Sequence, residues 1–389
     1  MSAESSHHVG THTPGVQHAG RVRTCPLASQ SALAVAKYRK YLEFLALLML
    51  AVAIIWWFGR RLDWHQVKVA VAQSDWRLIA VACVVILLGY LWRAIRWQAL
   101  LSPLTKTSLR EVWIATSVGF AAVLTIGRAG EIVRPVVLPM RDARVRPAAS
   151  IVTIMIERLY DIMTVVVLFG INLFWLKPVN GGSFGPARWI GFGLVFVGAV
   201  AIVMLILFRR RSGRVIEWLD RKIHGGTGLR ARLKRALLST LEQLAIALSV
   251  LSDIKLLAKT IGWSLMLWGS VGLANLLVFR AFGLPFGISH VLFVLGWSMI
   301  GSAVPTPGGA AGAFHAATAG ALILLGVAQN QAAAISIVLH LVDFAPAALF
   351  GLFYFLRGDV NFSRLRKLLS AEAVEHAVED EKVVLARGT

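Results

Sequence analysis

The chain has 389 residues, of which 57% are hydrophobic and 15% are charged, and its formal net charge is +20. This fraction of charged residues is too small to cover the surface of a water-soluble globule of this length. The composition therefore excludes a soluble protein and predicts an integral membrane protein. The only two cysteines, Cys25 and Cys83, exclude a disulfide framework.

The polar, histidine-rich start of the chain, residues 1–36, is predicted to be a disordered cytoplasmic tail without a metal site, because its histidines lack a fixed scaffold. A transmembrane domain is predicted over residues 37–358, followed by a second cytoplasmic tail at 359–389. Six apolar runs are predicted to span the membrane, near 41–58, 78–92, 149–176, 189–208, 256–282 and 332–356.

Two further apolar runs are short or interrupted. The first is 112–126, and the second, 288–326, is broken at its centre by Pro305, Pro307, Gly308 and Gly309. An interrupted helix survives in hydrocarbon only where protein or a water-filled cavity surrounds it. We therefore predict an all-α polytopic membrane protein with about six full spans and two broken or re-entrant helical hairpins.

Arginine and lysine are concentrated within residues 209–255, which predicts a basic cytoplasmic segment and assigns most of the positive charge to topology rather than to nucleic-acid binding. Both termini are then cytoplasmic, in a protein of the inner membrane. The halves 41–176 and 189–356 have the same order of span, span, broken hairpin and span, with the second half inverted. We hypothesise an inverted repeat, which is typical of transporters. A leucine stripe at 229–251 predicts an amphipathic interfacial helix or a helix packed on the bundle.

The first charged cluster lies at the turn of the short hairpin, in residues 127–135. Its glycines permit a tight turn. Arg128 and Arg134 can hold a phosphate by paired donors, with Glu131 neutralising one arginine when the site is empty. The alternative is that both arginines are interfacial anchors that extend to the cytoplasmic headgroups.

The second charged cluster is Glu157, Arg158 and Asp161. The two carboxylates share a helix face, and Arg158 lies three residues before Asp161 and can pair with it. One interpretation is a structural ion pair between this span and the first hairpin. The other is a carboxylate pair, partly compensated by arginine, that exchanges a proton.

The third cluster is His340 and Asp343, which share a helix face, with His315 in the preceding broken run. A histidine beside a carboxylate suits a proton relay, and a hydrogen-bonded core histidine is the alternative. Metal ligation by these three residues is not expected, because their spacing matches no metal motif.

The break at Pro305, Pro307, Gly308 and Gly309 precedes a new helix. Its free amides and positive dipole end can bind an anionic group. The alternative is a kink that serves only the packing of the small residues that follow.

Together, the motifs at 127–135, 157–161 and 305–309 resemble the flippase-like membrane family related to the transmembrane half of lysylphosphatidylglycerol synthase, over residues 40–357. In the bifunctional relatives, the membrane half is associated with moving an aminoacylated phospholipid between leaflets, and a cytosolic domain makes that lipid. The resemblance implies a lipid or lipid-linked-sugar translocator without the synthase domain. Many relatives carry an acidic residue after the glycine pair; this chain does not, and His315 is the candidate substitute.

We therefore expect translocation of an anionic or zwitterionic phospholipid, or of a lipid-linked precursor, across the cytoplasmic membrane. Membrane lipids are the expected partners, no cofactor or metal is expected, and the residues predict no oligomeric state. One alternative is a membrane-embedded enzyme acting on lipid-linked substrates, with Glu157, Asp161 or His340 as acid or base, although the sequence has no nucleotide loop or serine elbow. The other is a non-transporting accessory of a lipid or cell-envelope biosynthesis complex, with lipid-biosynthesis enzymes as partners.

Overall fold

All secondary structure in the described part of the chain is helical, which confirms the predicted all-α class. The computed structural model describes Met49, Trp56, Gly59, Arg60 and residues 62–176, 185–222, 254–304 and 307–358. Several predicted features lie outside these residues: the tails 1–36 and 359–389, nearly all of the run 41–58, the stripe at 229–251, and Pro305.

The described residues form ten α-helices and one 3-10 helix. In chain order they are α1 (Trp64–Ala72), α2 (Trp76–Leu101), α3 (Leu109–Ile126), the 3-10 helix (Gly127–Ile132), α4 (Val133–Arg141), α5 (Pro147–Trp175), α6 (Gly185–Lys222), α7 (Ile254–Ala281), α8 (Ile288–Ala303), α9 (Pro307–Leu324) and α10 (Gln329–Leu356).

Three of the described helices, α2, α7 and α10, are long and apolar enough to cross a bilayer, and α8 and most of α9 are shorter apolar helices. Helix α5 has 29 residues but carries three charged side chains in its first half. The chain is thus a multi-pass membrane protein, and the count of six spans stays a prediction.

The short run at 112–126 forms the first arm of a helical hairpin, called the first hairpin, whose second arm is the 3-10 helix and α4. Helix α3 ends where Gly127 adopts a φ of 69°, a left-handed conformation that favours glycine. The arms pack closely, because a Cβ at Gly130 would collide with the backbone of Ala122. At the open end, Arg141 Nε donates to Glu111 Oε2 at 2.5 Å. The chain therefore returns to the end of the hairpin at which it started.

Helices α8 and α9 form the second hairpin. The interruption lies where the sequence predicts it, since α8 ends at Ala303 and α9 begins at Pro307. The hydroxyls of Ser298 and Thr318 are hydrogen-bonded at 2.8 Å across the two arms. Small residues permit this contact, because a Cβ at Gly301 would lie only 2.6 Å from the carbonyl oxygen of Ala313.

The two hairpins pack reciprocally against the long helices. Helix α3 of the first hairpin contacts α10, where Gly351 lies against the backbone of Ser117. Helix α8 of the second hairpin contacts α5, where Asn172 Nδ2 donates to the Ser289 carbonyl at 2.8 Å. Each hairpin is therefore held by the last helix of the other predicted half.

Helices α2 and α7 run antiparallel to each other. Near one end Asp75 N donates to the carbonyl of Ala281 at 2.9 Å, and toward the other Arg96 Nη1 donates to Ser264 Oγ at 2.9 Å. Helix α2 corresponds to the second span of the first predicted half, and α7 to the second span of the other half.

The prediction that a span ends at Trp92 is wrong, because α2 continues for nine residues to Leu101. The apolar run stops at Arg93, but the helix continues. Arg93 and Arg96 can stay inside the bundle because both are paired with buried carboxylates. Likewise α6 extends beyond the predicted span 189–208 and includes the arginines that follow it. Hydropathy marks where apolar residues end, not where backbone hydrogen bonding ends.

Replacing Gly351 with alanine is expected to destabilise the protein, because the new Cβ would overlap the backbone of Ser117. Overpacking of this kind costs about 1–3 kcal/mol. The thermal unfolding midpoint of the purified protein in detergent should therefore fall.

Gly269→Ala on α7 is the matched control, because nothing lies within 4 Å of a Cβ at this exposed helical position. It should leave the unfolding midpoint unchanged or raise it slightly, since alanine favours helix. Equal midpoints for the two variants would contradict the close packing of α3 and α10.

Candidate functional site

Two carboxylates deep in α5 organise the charged side chains of the bundle. Glu157 and Asp161 lie ten and fourteen residues after Pro147, the first residue of the helix. At 1.5 Å per residue they are about 15 and 21 Å along the helix. Both are buried, with 0% and 2% of their surface exposed.

Two arginines of α2 approach these carboxylates. Arg93 Nη1 lies 3.1 Å from Asp161 Oδ2 and 3.4 Å from Glu157 Oε1. Arg96 Nη1 lies 2.9 Å from Asp161 Oδ1, and its Nη2 lies 3.4 Å from Glu157 Oε1. The two arginines are three residues apart on α2, so both face α5.

Arg134 of the first hairpin binds the Glu157 carboxylate, which Arg93 and Arg96 also contact. Its Nη1 and Nη2 donate to Glu157 Oε1 and Oε2 at 2.5 and 3.1 Å, which is bidentate pairing. Its guanidinium carbon also lies 4.2 Å from the ring centroid of Trp97, a cation–π contact. The predicted ion pair between this span and the first hairpin is present.

The outer part of the network is more exposed. Arg158 Nε lies 3.5 Å from Glu131 Oε2, and its Nη1 lies 3.9 Å from Asp161 Oδ2. About a third of each of the Arg158 and Glu131 side chains is exposed. We call the whole network the ion cluster: Arg93, Arg96, Arg134, Arg158, Glu131, Glu157 and Asp161. The side chain of Arg128 lies outside the described residues.

Arg93 and Arg96 were not among the site residues predicted from the sequence, although they make the shortest contacts with Asp161. A signal was present: two arginines at i and i+3, between Trp92 and Trp97, directly continue an apolar run. Charged side chains that continue an apolar helix need partners.

A cavity of about 500 Å³ adjoins the ion cluster. Four members of the cluster contribute to its wall: Arg93, Glu131, Arg158 and Asp161. The rest of the wall is mostly apolar and includes residues of both hairpins, such as Val123 and Ala303, and of α7, such as Trp268. The cavity wall thus combines two guanidinium groups, those of Arg93 and Arg158, with a largely hydrocarbon surface.

Asp343 of α10 also lines this cavity but does not join the ion cluster. It lies fourteen residues after Gln329 in a helix of 28 residues, near the helix centre. Its Oδ1 is buried, and no described residue makes a hydrogen bond or ion pair with the carboxylate. The hydroxyl of Tyr90 donates instead to the backbone carbonyl of Asp343 at 2.7 Å.

His315 and His340 face each other between α9 and α10. Their ring centroids are 4.9 Å apart, and both rings contact Phe314. Neither histidine is among the residues that line the cavity. This arrangement favours packing in an aromatic core, and within the described residues no group of three or more potential metal ligands occurs.

Pro307, Gly308 and Gly309 form the first turn of α9. Ala310, the next residue, lines the cavity and has a φ of 64°. A non-glycine residue in this conformation stores about 1–3 kcal/mol of strain. Proline in the first turn is confirmed, and anion binding by this turn stays a prediction.

Outside the membrane-spanning segments, Asp142 fixes the turn between α4 and α5. It accepts from Arg144 Nε and Nη2 at 2.8 and 2.9 Å, and these hydrogen bonds lower the pKa of Asp142 to about 2. Because the folded pKa is lowered, the stabilisation is present above the ordinary carboxyl pKa and is lost only as the pH falls toward 2. The turn is therefore intact at neutral pH.

Glu157→Gln is expected to destabilise the protein strongly, because it removes the carboxylate shared by Arg93, Arg96 and Arg134. Removing one partner from a buried ion pair costs about 3–5 kcal/mol. Unfolding of the detergent-solubilised protein, followed by tryptophan fluorescence, measures the loss.

Glu217→Gln is the control, because the Glu217–Arg221 pair on α6 is largely exposed and should contribute nothing measurable. A Glu157→Gln protein as stable as the control would show that the ion cluster does not hold α2, α4 and α5 together.

A family model described as "Lysylphosphatidylglycerol synthase TM region" matches residues 44–351, which contain the ion cluster, the cavity and both hairpins. No curated protein matches the chain. The match covers most of the chain and confirms the resemblance carried by its motifs. The chain belongs to the family of the lysylphosphatidylglycerol synthase transmembrane region.

Proposed function

We propose that this protein moves the headgroup of an anionic or zwitterionic lipid across the cytoplasmic membrane through the cavity. The observation that carries the proposal is the composition of the cavity wall. Arg93 and Arg158 are positioned beside a mostly apolar chamber of about 500 Å³. Guanidinium groups bind phosphate in bidentate geometry, and this volume lies within the usual range for small-molecule sites.

The ion cluster supports a division of labour among its arginines. Arg96 and Arg134 are 0% and 2% exposed and are engaged with Glu157 and Asp161. Arg93 and Arg158 reach the cavity wall as well as the carboxylates. A phosphate group that enters the cavity would replace a carboxylate as the ion-pair partner of Arg93 and Arg158. These two arginines therefore have a charged partner both before and after the phosphate binds.

The reciprocal packing of the hairpins supports the inverted repeat. Helices α2 and α7 are antiparallel, α3 packs on α10, and α8 packs on α5. Each contact therefore has a counterpart in the other half. Two hairpins that re-enter from opposite leaflets would both reach the cavity, as Val123 and Ala303 do. Such an arrangement suits alternating access to one central site.

The orientation follows from the basic residues at the open end of the first hairpin. Lys106, Arg110, Arg141 and Arg146 lie in or beside this end. The positive-inside rule assigns it to the cytoplasm, together with the basic end of α6. With this orientation, and with the predicted span 41–58, we propose that both termini are cytoplasmic.

The family description also supports a lipid substrate, since it names a synthase of lysylphosphatidylglycerol, a phospholipid. The headgroup of such a lipid would occupy the cavity while its acyl chains stay in the bilayer. The enzyme hypothesis is less well supported by the geometry. Glu157 and His340 do not line the cavity, and Asp161, which does, is paired with Arg93 and Arg96.

Transport of headgroup-labelled phosphatidylglycerol in proteoliposomes tests the proposal. Arg158→Gln should slow transport about 10- to 150-fold, because it removes a charged hydrogen bond worth about 1.5–3 kcal/mol. Ala303→Trp should slow transport as well, because it fills the cavity without changing any charge. The readout is accessibility of the label to a reductant added outside the vesicles.

Arg221→Gln, on the exposed face of α6, is the control and should transport like the wild type. Wild-type rates in both Arg158→Gln and Ala303→Trp would contradict the cavity as the route. Absence of lipid movement by the wild type would favour the accessory hypothesis, and recovery of chemically altered lipid would favour the enzyme hypothesis.

A further inference from the structure

Among the described residues, the charges of the ion cluster and Asp343 together balance when Asp343 is ionised. In the ion cluster, four guanidinium groups (Arg93, Arg96, Arg134, Arg158) face three carboxylates (Glu131, Glu157, Asp161), which leaves one positive charge. An ionised Asp343 brings the described residues of the site to zero. The bulk of the excess positive charge on the chain lies elsewhere.

Asp343 differs from the three cluster carboxylates in its surroundings. Each cluster carboxylate has an arginine within 4 Å, whereas no described residue donates a hydrogen bond to the carboxylate of Asp343. An ionised group without a partner is costly to keep away from water. Asp343 nevertheless lies at the centre of α10, against the same cavity as Arg93 and Arg158.

The neighbouring titratable groups do not provide that partner. On α2, Tyr90 and Arg93 line the same cavity, but the Tyr90 hydroxyl is engaged by a backbone carbonyl and Arg93 by Asp161. Cys83, also on α2, makes no hydrogen bond with Asp343 among the described residues. From the 3-10 helix and α5, Glu131, Arg158 and Asp161 are engaged with one another.

The histidines nearest in the bundle are His315 of α9 and His340, one turn before Asp343, and these contact each other. The cavity-facing residues of α3 and α7 include Phe120, Val123, Leu267 and Val271, and none of those that line it is charged. Asp343 is therefore the carboxylate of this cavity that can change its charge without breaking an ion pair.

We propose that a proton and an anionic lipid headgroup bind in this cavity together, with Asp343 as the proton acceptor. This inference rests on the proposed function and adds a second transported species. A phosphodiester brings one negative charge to a site that is neutral when Asp343 is ionised. A proton taken up from the bulk solution adds to a carboxylate oxygen of Asp343 and restores neutrality. Lipid movement would then depend on the proton gradient.

Proton uptake on lipid binding tests the inference without requiring transport. Short-chain phosphatidylglycerol is titrated into the purified protein in neutral detergent, in buffers of different ionisation enthalpy, from about pH 5 to about pH 9. The buffer dependence of the heat gives the number of protons taken up. Within this range the wild type should reach about one proton per lipid bound.

Asp343→Asn mimics the protonated carboxyl and should bind the lipid within about threefold of the wild-type affinity, with no linked proton. Asp343→Glu keeps a carboxylate and should keep the proton uptake. Glu217→Gln, which removes an exposed carboxylate of α6, should behave like the wild type.

Lipid binding by the wild type without proton uptake at any pH in this range would overturn the inference and leave the proposed function standing. Equal proton uptake by Asp343→Asn and wild type would overturn the assignment of Asp343. Failure of the wild type to bind the lipid at all would overturn the proposed function itself. The first and third outcomes both come from the wild-type protein, so they do not depend on whether a variant folds.

Discussion

Hydrocarbon offers no hydrogen bond to an ionised side chain or to the end of a broken helix, so each such group must be satisfied by protein or by water. In this protein the constraint acts most strongly on Glu157 and Asp161, about 15–21 Å along α5. Arginines from α2 and from the first hairpin converge on these two carboxylates. Their demand for partners explains why α2 continues past Trp92 and why the first hairpin packs against α5. The fold around the cavity follows from pairing these charges.

The same network divides into a structural part and an accessible part. Arg96, Arg134 and Glu157 are buried and tie three helices together. Arg93, Arg158 and Asp161 belong to the same network but also reach the cavity. The structural and functional interpretations of the charged motifs therefore apply to different residues and do not exclude each other. Asp343 of α10 belongs to neither part of the network. It lines the cavity but makes no ion pair with any described residue.

Much of this architecture could be predicted from the sequence, because hydrophobic runs and helix breakers act locally. The α7 and α10 helices, the interruption before Pro307 and an ion pair between α5 and the first hairpin all follow from run length, proline and charge. Arg93 and Arg96 could not be placed in this way, because an arginine at the end of an apolar run is usually a topology signal. Only the position of α5 beside α2 gives them partners. The contact between His315 and His340 could not be predicted either, because it depends on how α9 and α10 face each other.

Lipid movement through the cavity requires that water reach it from the tips of both hairpins. Single cysteines at Thr125, near the tip of the first hairpin, and at Ala303, at the end of α8, measure this directly in a protein whose Cys25 and Cys83 have been replaced. We expect a membrane-impermeant maleimide to label both positions in oriented vesicles, each from a different side of the membrane. Normal labelling of an exposed control such as Ser102 with no labelling at Thr125 or at Ala303 would mean that both hairpin tips are sealed by protein. That result would contradict a polar route through this cavity.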